Sequence, residues 1–90
     1  MAQELTVDIV DWGGAVWSGT AKLVTATTSE GAIGLLPRHE PLLALLRAGE
    51  VKIVQAAGPD VHVGVTGGFL SVDADIVTVV ADDAEVLAPA

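Results

Sequence analysis

Glu30 to Leu46 reads EGAIGLLPRHEPLLALL, and this stretch restricts the fold more than any other in the 90-residue chain. Pro37 and Pro41 each fix φ, remove a backbone donor and push Leu36 and Glu40 towards extended geometry. Gly31 and Gly34 permit tight or positive-φ backbone on either side of Ile33. No long helix can cross such a segment. It is expected to be a rigid loop that joins two apolar segments and holds Arg38, His39 and Glu40 between two stiff brackets.

Working outward, the sequence on both sides reads as short strands. Leu5 to Ile9 alternates apolar with polar residues, the period-2 pattern of a strand with one buried face. Asp11-Trp12-Gly13-Gly14 reads as a turn. Ala15 to Thr28 is rich in β-branched residues, with a bulge or bend expected at Ser18-Gly19 and an end at Ser29-Glu30-Gly31. Leu42 to Leu46 fits a short buried strand or one helical turn. Val51 to Gln55 and Val61 to Val65 should form a hairpin across the Gly58-Pro59 loop. After Thr66, Gly67-Gly68 permits close sheet packing, Phe69 is expected in the core, and its truncation to Ala would then cost about 3–5 kcal/mol. Asp73-Ala74-Asp75 turns the chain into Ile76 to Val80, whose lack of alternation predicts burial on both faces.

Short strands at close spacing, without an amphipathic helix, predict an all-β fold, a sandwich or barrel, with sequential neighbours paired. Residues 1–90 are expected to form one domain, because a chain this short buries only roughly 60–65% of its unfolded surface and needs every strand for one core. With 51% hydrophobic residues but only Trp12, Trp17 and Phe69 as aromatics, that core must be aliphatic.

Composition also excludes functions. Twelve acidic against four basic residues give a net charge of −8, so nucleic acid is not an expected partner. The absence of cysteine removes disulfides and thiolate metal sites. MAQELTVDIV lacks a basic region followed by an apolar core, and no signal peptide or membrane span is expected. Gly31-Ala32-Ile33-Gly34 is followed by two leucines where a P-loop needs Lys and Ser or Thr. His39 and His62 have no partner at metal-ligand spacing, and His62 reads as an outward strand residue. The Asp73/Asp75 and Asp82/Asp83/Glu85 groups read as solvated turns. No Ser lies in a GxSxG context. The residues describe a small acidic β domain without catalytic equipment or cofactor.

The same organising stretch, followed by Gly49 to Ile53, Val65 to Val72 and Val77 to Glu85, resembles in order and spacing the N-terminal domain of the epsilon subunit of the F-type ATP synthase. Val16-Trp17-Ser18-Gly19 is similar to the family's first hairpin, so the resemblance covers Leu5 to Glu85. It implies a two-layer β-sandwich of about ten short strands at the foot of the central stalk. It further implies a non-catalytic role in coupling proton translocation to ATP synthesis, with the gamma subunit and the c-ring as partners. Membrane association, at the cytoplasmic face of the cell membrane, would then be only through the complex. The partner-binding residues it implies are Gly31, Ala32, Arg38, His39, Glu40, Leu42 and Leu43. Ala32 stands where family members often carry an acidic residue.

The family usually continues with two C-terminal helices that can inhibit hydrolysis or bind ATP. The sequence stops at Ala90, so that helical domain is expected to be absent and no direct nucleotide binding is expected. A reading from another class treats the domain as a free-standing sandwich that binds a small molecule or carbohydrate through Trp12 and Trp17.

Overall fold

The computed structural model describes residues 3–87, and they form ten β-strands and no helix. The strands are β1 (Leu5–Asp11), β2 (Gly14–Ala21), β3 (Leu23–Thr28), β4 (Gly31–Leu35), β5 (Leu42–Leu46), β6 (Gly49–Val54), β7 (Val61–Val65), β8 (Gly68–Asp73), β9 (Ile76–Ala81) and β10 (Ala84–Leu87). Hydrogen bonding orders them as two five-stranded layers, β10-β7-β6-β3-β4 and β5-β8-β9-β1-β2. The all-β sandwich expected from the sequence is what forms.

One strand joins the layers. β3 pairs with β4 along its length and with β6 at Leu23–Thr25, then turns its last residue, Thr28, against Leu46 of β5. Two further backbone bonds extend this seam, from Ser29 N–H to the Leu45 carbonyl at 2.9 Å and from Arg47 N–H to the Thr27 carbonyl at 3.0 Å. Sequential pairing holds for β1–β2, β3–β4, β6–β7 and β8–β9, the second and third being the turn and hairpin read from the sequence. The remaining sequential neighbours do not pair, and β1 has a second, parallel partner in β9. Such a long-range parallel pair leaves no local pattern in the chain.

Alternation builds the core. Leu5, Val7 and Ile9 of β1, Val51 and Ile53 of β6, Leu70 and Val72 of β8, and Val77 and Val79 of β9 all point between the layers and are at most 1% exposed. Among the described residues the one buried polar side chain, Thr28, is satisfied: its hydroxyl donates to the Gly31 carbonyl at 2.9 Å and accepts from Glu30 N–H at 3.1 Å. That pair of bonds closes the β3–β4 turn.

The structure corrects several expectations. The rigid loop is confined to residues 36–41, because Gly31–Leu35 pairs with β3 as a strand. β2 pairs without a break at Ser18-Gly19; its irregularity lies at Val16, which has no partner opposite the Ile9–Val10 step of β1. Gly19 has a packing cause: a Cβ there would lie 2.7 Å from the Trp17 ring, which covers it and packs against the core. Ile76–Val80 is not buried on both faces. Val77 and Val79 are enclosed while Ile76 and Val80 are each 49% exposed. Phe69 is likewise half exposed, because Leu70 and Val72 take the inward parity of β8 and leave Phe69 on the opposite face.

The close approach foreseen at the glycine pair belongs to Gly68. At φ +133° a Cβ on Gly68 would meet the Val80 carbonyl oxygen at 2.1 Å. Gly68→Ala should therefore cost on the order of 4 kcal/mol or prevent folding. Leu70→Ala should cost about 2–5 kcal/mol, and Phe69→Ala about 1 kcal/mol or less. Urea unfolding midpoints of the three variants check this order.

Candidate functional site

The outer faces of the two layers differ in chemistry. On β6–β7 the face is polar: His62 Nδ1 contacts the Glu50 carboxylate, and Lys52 lies 3.7 Å from Asp60. His62 thus faces outward, as its place in the alternation predicts. Exposed pairs of this kind contribute little stability.

The β5-β8-β9-β1 face carries a polar row, Ser71, Thr78 and Asp8, beside an apolar one. Leu45 pairs with Phe69, Phe69 with Val80, and Val80 with Val10, so cross-strand register aligns four apolar side chains in one row. Three of them, Leu45, Phe69 and Val80, are 49–52% exposed, and Leu43 on the same side of β5 is 71% exposed. Beyond Val10, at the β1–β2 turn, Trp12 is 90% exposed. Such a row of exposed apolar side chains is a candidate interaction face.

Loop 36–41 borders this face, since it leads directly into β5. The Pro37–Arg38 turn places Arg38 at φ +69°, the type II arrangement in which the residue after Pro usually is Gly. That conformation costs a non-glycine residue about 1–2 kcal/mol, and the loop compensates it with specific bonds. Arg38 N–H donates to Asp75 Oδ1 at 2.6 Å, and Arg38 Nε donates to Gln3 Oε1 at 2.9 Å. Asp75 lies in the β8–β9 turn, itself at φ +63°, and its carbonyl accepts Thr6 N–H at 2.8 Å. His39 Nδ1 lies 2.6 Å from the Glu40 carbonyl, which can only accept, so Nδ1 carries the proton. The loop is thus preordered by bonds as well as by its prolines.

The seven residues singled out from the sequence do not form one site. Gly31 and Ala32 are exposed at the β3–β4 turn, paired with Thr28 and Thr27. Arg38, His39 and Glu40 lie beyond Leu35, past the opposite end of β4, on the order of 15 Å of strand away. Leu43 is on the apolar face, whereas Leu42 is half-buried and packs against the core. Leu45, Phe69, Val80, Val10 and Trp12 were not singled out for that face. Only Val80 among them lies in the unalternating run Ile76–Val80, which reads in the sequence as a strand buried on both faces. Trp12 and Trp17 do not make a common stacking platform, because Trp17 packs against the core and Trp12 projects from a turn.

Residues 4–87 match the model of the β-sandwich domain of the ATP synthase delta/epsilon chain. The chain belongs to that family. It is 48% identical over 83 residues to an ATP synthase epsilon chain from Rhodococcus jostii, covering 91% of this chain and 68% of the relative. It is 49% identical over 80 residues to one from Corynebacterium efficiens, covering 88% and 64%. The family fold is also that of a chain in the Euglena gracilis mitochondrial ATP synthase, with TM-score 0.87, 19% identity and coverage of 96% of this chain and 55% of the other. A chain in the central stalk and c-ring structure of the Tetrahymena thermophila mitochondrial ATP synthase gives TM-score 0.75 at 20% identity, covering 91% and 66%. The domain thus spans about two thirds of the epsilon chains it matches.

Within this family domain, the Asp75 carboxylate holds the Arg38 backbone N–H of the 36–41 loop. Asp75→Ala should speed amide hydrogen exchange at Arg38 at least tenfold, whereas Asp75→Asn, which keeps the acceptor and tolerates positive φ, should leave it near wild type.

Proposed function

We propose that this chain acts as a non-catalytic central-stalk domain of an F-type ATP synthase, helping to couple proton translocation to ATP synthesis. The apolar row on the outer face of β5-β8-β9-β1 takes the gamma subunit, and the exposed β3–β4 turn with Gly31 and Ala32 meets the c-ring. Its place is the cytoplasmic face of the cell membrane, reached through the complex. Family membership supports the assembly, and the exposed Leu45–Phe69–Val80 row is the observation that carries the docking face.

Two surfaces suit two partners. Loop 36–41 borders the apolar face and is tied to the β8–β9 turn of the same layer, so Arg38, His39 and Glu40 form a charged rim for whatever lies on that face. The β3–β4 turn, which Ser29 N–H ties to the Leu45 carbonyl, presents Ser29, Glu30, Gly31 and Ala32, a polar surface suited to polar loops. Preordered surfaces lower the entropy cost of docking, which matters for contacts that must carry torque.

The test is co-purification of gamma and the catalytic head with the tagged domain from membranes. The Leu45→Ser, Phe69→Ser double variant should keep a near-native unfolding midpoint and lose gamma on the order of tenfold or more. Retention of gamma by that variant, folded, would remove the face from the docking surface.

Replacing Arg38, His39 and Glu40 together with Gly should leave the sandwich folded, since Gly suits the positive φ at position 38. The assembled complex should keep ATP hydrolysis and lose part of its proton pumping, compared as hydrolysis and acidification rates in vesicles. Normal pumping at normal hydrolysis, with the domain bound, would exclude the loop from coupling.

A further inference from the structure

At one end of the apolar row, Trp12, Phe69 and Val80 line a surface cleft to which Asp11 and Asp82 bring the ionisable groups. The turn that carries the indole is pinned: Asp11 Oδ1 accepts Gly13 N–H at 2.8 Å and Oδ2 accepts Ala84 N–H at 3.2 Å. The ion pairs among the described residues are Lys52–Asp60 and Glu50–His62, so neither carboxylate of the cleft has a cationic partner there.

We propose that this cleft holds a cationic side chain of gamma, a Lys ammonium or an Arg guanidinium, at the end of the docking face. The proposal rests on the gamma-docking reading above. Its basis is a desolvation argument. A partner that covers Leu45, Phe69 and Val80 also closes over the cleft, and carboxylates removed from water without an opposite charge would oppose binding. A cation seated there answers the carboxylates and meets the electron-rich face of an indole or phenyl ring, with Trp the stronger of the two. The net charge of −8 adds long-range attraction for a basic segment.

The experiment titrates gamma into the wild-type chain, Trp12→Leu, Asp82→Asn and the double variant by calorimetry at two salt concentrations. Trp12 is 90% exposed, so equal unfolding midpoints serve as the fold control. Each single change should weaken binding about three- to thirty-fold, and the double change should cost less than the product of the two. Asp82→Asn should also flatten the salt dependence. Wild-type affinity in both Trp12→Leu and Asp82→Asn would overturn the cation site and leave the docking face standing. Failure of the wild-type chain itself to bind gamma would overturn both.

Discussion

Everything in this domain depends on a dry aliphatic interface between two sheets. Leu5, Ile9, Leu35, Ile53 and Leu70 and a set of valines fill it, with no aromatic ring fully enclosed. In so small a chain there is no second core to fall back on, and each strand contributes inward residues that the others need. β3 makes the arrangement possible by pairing with β4 and β6 in one layer and with β5 in the other. The Thr28 hydroxyl, the one buried polar side chain among the described residues, makes both its bonds locally, to the Gly31 carbonyl and from Glu30 N–H.

That interior fixes the chemistry outside. Because side chains alternate along a strand, whatever does not face the core faces outward, and the two layers resolve this differently. The β6–β7 face carries Glu50, Lys52 and His62, which water satisfies. The β5-β8-β9-β1 face carries Leu43, Leu45, Phe69 and Val80, which water does not. The asymmetry is the physical basis of the proposed docking face. The turns at the ends of the sandwich are held by carboxylates: Asp75 ties the Arg38 turn, and Asp11 ties the Trp12 turn to β10.

Much of this was legible in the residues. Period-2 alternation located β1 and the β6–β7 hairpin, the Gly and Pro positions located the turns, and the order of pieces from Glu30 to Glu85 identified the family. Residues 36–41 connect β4 to β5, and the proline brackets marked Arg38, His39 and Glu40 as a loop. They did not reveal that Arg38 takes a glycine-like φ, because the compensating carboxylate comes from Asp75, 37 residues away.

The sequence by itself determined that the strands exist, that their core is aliphatic and that the chain is acidic. These follow from local spacing and composition, which need no knowledge of neighbours. Only the tertiary structure decided that β1 lies parallel to β9, that Gly31 and Arg38 stand at opposite ends of β4, and that Phe69 is outside. Each of these depends on which strand pairs with which. An apolar residue on a strand can complete a core or await a partner, and its own sequence reads the same in both cases. Register resolves it, by placing Leu70 inward and aligning Phe69 with Leu45 and Val80 on the open face.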